Sequence, residues 1–341
     1  MDPVEDGTMA RYARVAGIGH YVPDRIVTNH ELEKLMDTSD EWIRERSGIA
    51  ERRFADDDVG CTELGVRAAQ AAMAQADWKA EHVDFVLFAT LSPDMYFPGN
   101  GVLLQRSLGL RDVGAMDVRN QCTGFVYAVS AADAFIRMGM FDRVLVVGAE
   151  KHSAGLRMDT AGRDTAVLFG DGGGAACLEV TDGGDGSRFL WHHLHADGRY
   201  AKELCVLKPG AGSTPWISKE MIEEGSTNPY MNGREVFKHA VTKFPAVIQE
   251  VLATEGLTAN DVDLVIPHQA NERITEMVRK RLGVPDEKVY SNIARYGNTT
   301  AASIPIALSE AVADGLVGRG SLVCLAAFGS GFTWAASLLR Y

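Results

Sequence analysis

VDFVLFAT at Val83–Thr90 and VDLVIPHQ at Val262–Gln269 decide how this chain is read. Each opens with Val-Asp and runs on in apolar residues with little polar alternation, the pattern of a parallel strand buried on both faces. Each is followed by a helical stretch ending in leucine-glycine, LQRSLGL (104–110) or VRKRLGV (278–284). A short strand is expected next, then a segment of small residues opening a helix: NQCTGF (120–125) in the first half, YGNTTAAS (296–303) in the second. Both helices lead into a further apolar strand, VLVVGAE (144–150) or LVCLAAFG (322–329). The order repeats although few identities do, which predicts a duplicated α/β domain rather than a solenoid. The halves are placed at 1–181 and 182–341, joined near TDGGDGS (Thr181–Ser187). On a pseudo-twofold axis between them, Cys122 and Asn298 would occupy equivalent places where the central helices begin.

Further strands are expected at Ala13–Gly19, Arg143–Gly148, Phe189–His195 and Leu322–Ala326. The uncharged run Ser321–Leu339 has membrane length but is broken by Gly329, Ser330, Gly331 and Thr333. Two buried strands joined by a turn fit it better than a membrane helix. The 341 residues are 46% apolar and 23% charged, which excludes disorder as the main state. With 34 Lys and Arg against 46 Asp and Glu, the net charge of −12 argues against nucleic acid as the main ligand. Five scattered cysteines without a CxxC pair read as reduced thiols, hence a cytoplasmic protein with neither disulfide frame nor zinc site. The opening MDPVEDGTMARYARV lacks the apolar core of a signal peptide, and Met9 is a candidate native start.

Cys122 precedes TGFVYAVSAADAFIRMG, which is apolar almost all round and therefore a buried helix. A cysteine at such a helix start is a candidate nucleophile, because the positive end of the macrodipole favours the thiolate and lowers the pKa. The plainer possibility is a small core residue. His268 stands at the end of a central strand, where ligands of α/β proteins collect, although strand-end histidines are often just surface hydrogen-bonding groups. Asn298 is either an N-cap or an amide turned into the same site. His193 and His195 share one strand face at a spacing that suits a metal. No cysteine or carboxylate is evident beside them, so no metal is expected. GDGGGAA (170–176) lacks the lysine and spacing of a phosphate loop and reads as close backbone packing.

Taken together, the motifs resemble the β-ketoacyl-acyl carrier protein synthase III family of thiolase-like condensing enzymes. The resemblance rests on TSDEWIRERSGIAERR (38–53), CTGF (122–125), LFGDGGGA (168–175), HLHADG (193–198), REVFK (234–238), PHQANERI (267–274), YGNTTAAS (296–303) and FGSGFTW (328–334). It implies a thiolase-like fold of two similar βαβαβαββ halves in five αβαβα layers. It also implies a decarboxylative Claisen condensation of an acyl-CoA primer with malonyl-acyl carrier protein, initiating fatty acid synthesis, with acyl-CoA as substrate and no cofactor. The family's Cys–His–Asn triad falls on Cys122, His268 and Asn298, and its oxyanion hole on the backbone N–H groups of Cys122 and Ser330. The family usually has glycine where Ser330 stands. The same resemblance assigns Trp42, Arg46 and Arg163 to the coenzyme A adenine and Asn271 to the pantetheine tunnel. It implies a homodimer in which Phe97 closes the partner's acyl pocket. Lys238, Arg273, Lys280 and Arg281 form a basic set suited to an acidic carrier protein, or are simply solvated helix charges.

Arg119-Asn120-Gln121 ahead of the nucleophile, and the stretch Leu204–Asn232, depart from the acetyl-primed bacterial pattern. A longer or branched primer therefore stays open, as does a relative serving secondary metabolism or another acyl acceptor. A cysteine thioester hydrolase and a non-catalytic acyl-binding protein are the readings from other classes.

Overall fold

In the computed structural model, which describes residues 10–341, the expected strands form and are mostly longer than anticipated. The candidate start Met9 lies outside the described residues. A five-stranded mixed sheet runs in the order Tyr12–Tyr21, Gly172–Thr181, Arg143–Glu150, Phe85–Ala89, Gly114–Val118. A four-stranded sheet runs Arg188–Ala196, Thr333–Arg340, Leu322–Gly329, Leu264–Pro267. The pairings correspond from outer edge inward: antiparallel, antiparallel, parallel. The first sheet ends in a further parallel strand, Gly114–Val118. In the second, that strand is reduced to a single parallel bridge between Val265 and Val289. This corrects the expectation of a short strand in each half. The 3₁₀ turn Asp286–Lys288 and the helix Ile293–Tyr296 crowd the segment from both sides and leave little extended chain to pair.

Side-chain alternation explains the layers. Leu87, Ala89, Val144 and Val146 face the centre, with Leu264, Ile266, Val323 and Leu325 of the other sheet opposite. The helices Gly124–Arg137 and Ser303–Ala313 fill the space between, so this central core belongs to both sheets. The alternate residues Val86, Phe88, Leu145 and Val147 pack outward against the helix Cys61–Gln75. Val265, Cys324, Ala326 and Phe328 pack outward against the helices Gly233–Ala253 and Glu272–Leu282. These are the five αβαβα layers, and burial on both faces is why the strands read as unbroken apolar runs. Ser321–Leu339 forms two paired strands joined by a turn, and no helix among the described residues is long and apolar enough to cross a membrane.

Both central helices are entered through a 3₁₀ turn, Gln121–Thr123 or Thr300–Ala302. Each turn begins with a residue in the left-handed region, Gln121 at φ +44° and Thr300 at φ +49°. Non-glycine residues rarely adopt that conformation, and it is concentrated at functional sites. The match makes Ala301, not Asn298, the counterpart of Cys122. Asn298 lies ahead of its turn, in the place corresponding to Arg119.

Candidate active site

Cys122 is 7% exposed and lies at the foot of its helix. The backbone N–H groups of Ser330 and of Cys122 itself approach the sulfur. Gly329 makes that approach possible, since a Cβ there would stand 2.4 Å from Cys122 Cβ and 2.7 Å from Sγ. The lowered thiol pKa expected from the helix start is not found. Burial, followed by the Glu150 carboxylate, pushes the thiol up to about 12, against the smaller effect of the two N–H groups. Magnitudes explain the outcome: a helix end is worth at most ~2 kcal/mol, about 1.5 pKa units, whereas full burial shifts a group by up to 3–5. Glu150 is itself buried and pushed up to about 7 by desolvation, although its carboxylate accepts from Ser92 Oγ at 2.6 Å and Thr90 Oγ1 at 3.0 Å.

His268 follows Pro267 at the end of its strand, and its N–H donates to Ala326 O at 2.8 Å. The ring is 1% exposed and held neutral; burial, then neighbouring His152, pulls its pKa down to about 3. Nδ1 lies 2.7 Å from Ser303 Oγ, while Nε2 is buried without a partner. The Ser303 hydroxyl has one proton and two acceptors in reach, His268 Nδ1 and Thr300 O, the latter at 2.9 Å. When it donates to Thr300, the ring proton sits on Nδ1 and Nε2 is a bare base. When it donates to Nδ1, Nε2–H is a donor. Ser303 was not singled out from sequence, because its partner lies 35 residues away.

Asn298 is fixed by its backbone, with N–H donating to Leu168 O at 2.8 Å and C=O accepting from Gly170 N–H at 3.1 Å. Its Oδ1 accepts from Thr300 N–H at 2.9 Å, leaving the NH₂ group for a ligand. Cys122, His268 and Asn298 line one cavity of about 690 Å³. It runs from these buried groups to exposed Arg46, Arg234 and Arg273. Leu204, Cys205, Val206 and Met231 also line it, so the stretch 204–232 supplies part of the wall, as do Arg119 and Gln121. The Ser330 hydroxyl donates to Leu204 O and ties that stretch to the turn beside Cys122.

Trp42 and Arg46 line the cavity, and the guanidinium carbons of Arg46 and Arg163 lie 4.7 and 4.8 Å from the Trp42 ring centre. Arg163 does not itself line the cavity; it reaches Asp37 O at 2.7 Å. Asn271 lines it, caps the helix Glu272–Leu282 and donates to Arg46 O at 2.9 Å. Of the basic set, only Arg273 lines the cavity. Lys238 pairs with Glu235 at 3.1 Å, Lys280 with Glu276 at 2.9 Å, and Arg281 is exposed near the end of its helix. Arg234, the first residue of REVFK, also lines the opening, a place the motif alone does not indicate. Phe97 lies outside this chain's cavity, 79% exposed.

Two family descriptions match, 3-oxoacyl-[acyl-carrier-protein (ACP)] synthase III over residues 116–198 and its C-terminal part over 252–341. The β-ketoacyl-[acyl-carrier-protein] synthase III of Alkalilimnicola ehrlichii is 45% identical over 97% of this chain and 99% of its own. That of Caldanaerobacter subterraneus is 43% identical over 96% and 98%. The chain belongs to the β-ketoacyl-acyl carrier protein synthase III family. Its thiolase-like fold agrees, since the crystal structure of 3-oxoacyl-[acyl-carrier-protein] synthase III from Aquifex aeolicus superposes with a TM-score of 0.88 at 41% identity, over 96% of this chain and all of that one. The synthase III family condenses acyl-CoA with malonyl-acyl carrier protein through an acyl-cysteine, and this chain is a condensing acyltransferase of that kind.

Proposed function

We propose that Cys122 accepts the primer, His268 and Asn298 hold the enolate, and the N–H groups of Cys122 and Ser330 form the oxyanion hole of this synthase III. The observation that carries the assignment is a buried thiol packed against the Gly329–Ser330 turn, sharing one cavity with a free imidazole nitrogen and a free amide. The Cys122 sulfur attacks the acyl-CoA carbonyl, its proton passes to His268 Nε2, and coenzyme A leaves as the thiol when that proton is returned. Malonyl-acyl carrier protein then loses CO₂. Its enolate oxygen takes hydrogen bonds from His268 Nε2–H and the Asn298 amide, and its carbon displaces the Cys122 thiolate from the acyl group. Decarboxylation makes the nucleophile, so no carboxylate base is needed.

Trp42 with Arg46 and Arg163 offers the adenine a stacking surface, and Asn271 lies along the pantetheine path. Arg273, backed by Lys238, Lys280 and Arg281, gives an acidic carrier protein its approach. The halves divide at Thr181, where the last strand of the first sheet ends. A cytoplasmic location is supported by five unpaired cysteines. Intact-mass measurement after exposure to a panel of acyl-CoA primers, followed by malonyl-acyl carrier protein, tests the reading. A retained acyl group that becomes a β-ketoacyl product supports it. Hydrolysis without a malonyl-dependent product favours a hydrolase, and no retained acyl group favours a binding protein.

The raised thiol changes what is expected of His268. Helix polarity alone does not ionise Cys122, so the imidazole serves acylation as well as decarboxylation. Asn298→Asp removes the NH₂ group while keeping the Oδ1 contact. It is expected to cut malonyl decarboxylation by about 10²–10³, with acylation nearly unchanged. His268→Ala is expected to slow both half-reactions. Single-turnover acylation and CO₂ release, measured separately, check this; acylation at the full rate in His268→Ala would exclude the base role.

A homodimer is supported by exposed aromatic residues: Tyr96 lies 6.1 Å from Phe97 and 5.3 Å from Trp216, ring centre to centre. Gly114–Val118 is also an open sheet edge suited to pairing across a twofold. Phe97→Ala is expected to broaden primer use toward longer chains while Cys122 still acylates. An unchanged primer profile would defeat the pocket role, and a fully active monomer at micromolar concentration would defeat the dimer.

A further inference from the structure

We propose that His193, His195 and Glu250 form a surface site for a divalent first-row transition ion such as Zn²⁺ or Ni²⁺. The carboxylate nearest the two histidines in sequence, Asp197, is paired with Arg199 at 2.7 Å, and the fold supplies another. Glu250 comes from the helix Gly233–Ala253, which packs over the strand Arg188–Ala196. His193 and His195 point from the same face of that strand. Glu250 Oε1 lies 3.0 Å from His193 Nδ1, and Oε2 lies 2.7 Å from His195 Nε2. One ligand atom from each of the three residues falls within 4.8 Å of the others.

The donor set is borderline: two imidazole nitrogens and a carboxylate, as found around zinc, with water completing the shell. Bonds of about 2.0–2.1 Å to a central ion need only a small opening of the present contacts. The support behind His193 is of the right kind. Its Nε2 lies 3.0 Å from Thr254 Oγ1, and that hydroxyl donates to Glu250 O at 3.2 Å. Thr254 can therefore accept Nε2–H when an ion takes the Nδ1 lone pair, whereas without an ion Nδ1–H donates to the carboxylate. A cation between Nδ1 and the carboxylate would take the place of that proton, with Thr254 holding the ring by its other nitrogen. The side chains are 25%, 35% and 44% exposed, which gives an ion a direct path in. The ring of His195 stacks on Trp334 at 5.3 Å and 20°, which fixes its orientation.

The site is separate from the catalytic cavity, so its test does not depend on the function proposed above. Untagged protein, cleared of metal with a chelator, is titrated with ZnCl₂ or NiCl₂ by calorimetry. A Cys205→Ser background removes the half-exposed thiol that competes for zinc. One equivalent is expected to bind, at least tenfold more weakly in His193→Ala and in Glu250→Gln, with Cys122 acylation in both the same as in the Cys205→Ser parent. No saturable binding below millimolar metal, or full binding by a His193→Ala/His195→Ala double variant, overturns the proposal.

Discussion

Cys122→Ser is expected to leave no acyl-enzyme. A hydroxyl in this position needs a strong base, and the site does not provide one. The Nδ1 partner of His268 is the Ser303 hydroxyl rather than a carboxylate, and the buried ring is held neutral with its pKa near 3. An imidazolium formed by taking a serine proton would have no buried negative charge against its Nδ1. In serine triads, neutralising the carboxylate behind the histidine costs about 10⁴ in rate, and a loss of at least that order is expected here. The thiol succeeds because sulfur is intrinsically more acidic and nucleophilic, and because two N–H groups already face it. Cys205 is the competitor to watch: it lines the same cavity and its thiol is less buried. Its Sγ faces Lys202 O at 3.6 Å, a carbonyl that stabilises neither a thiolate nor an oxyanion. Mass spectrometry of peptides after acyl-CoA exposure should place the adduct on Cys122 in the native chain and in Cys205→Ser. An adduct on Cys205 or Cys61 would sink the assignment.

What could be read in the sequence was what depends on local pattern. Buried strands announce themselves as apolar runs, and the helix after Cys122 as a stretch whose only charges are Asp133 and Arg137, because burial on most sides removes the need for polar positions. The order of elements was legible twice over because the chain repeats it. What could not be read depends on contacts between distant residues. Glu250 meets His195 across 55 positions and Ser303 meets His268 across 35, and neither pairing follows from spacing along the chain. Glu150, which adds to the effect of burial on the Cys122 thiol, lies in the neighbouring strand of the repeat unit and reads there as one acid ending an apolar run. The pKa of Cys122 went the other way from the sequence argument for the same reason. The helix end is visible in sequence, whereas the depth of burial that outweighs it is a property of the assembled layers. The equivalence of the two helix starts was placed three residues off, because glycine and asparagine mark a turn but not which residue of it takes the left-handed conformation.

Gly329→Ala is expected to disable acylation while leaving the chain folded. The added methyl would need the space of the thiol, 2.4 Å from Cys122 Cβ and 2.7 Å from Sγ, closer than a Cβ atom comes to any atom it is not bonded through. Relief requires one side to move. Gly329 is held by its strand pairing with Thr333, and Cys122 by the 3₁₀ turn that opens a buried helix. The collision therefore falls on the thiol rotamer and on the adjoining Ser330 N–H, the two features on which the oxyanion hole depends. A displacement of about 1 Å in a reacting group costs on the order of 10² in rate, and loss of an oxyanion donor a further 10² or so. Overpacking of this size costs about 1–3 kcal/mol of stability, which a chain with this core should survive. Burst-phase acylation and thermal unfolding measured on the same sample separate the two effects. Gly318→Ala is the control, since a Cβ there meets nothing within 4 Å. It should change neither reading. Acylation at the native rate in Gly329→Ala would mean that the reactive sulfur does not sit against this turn when it attacks.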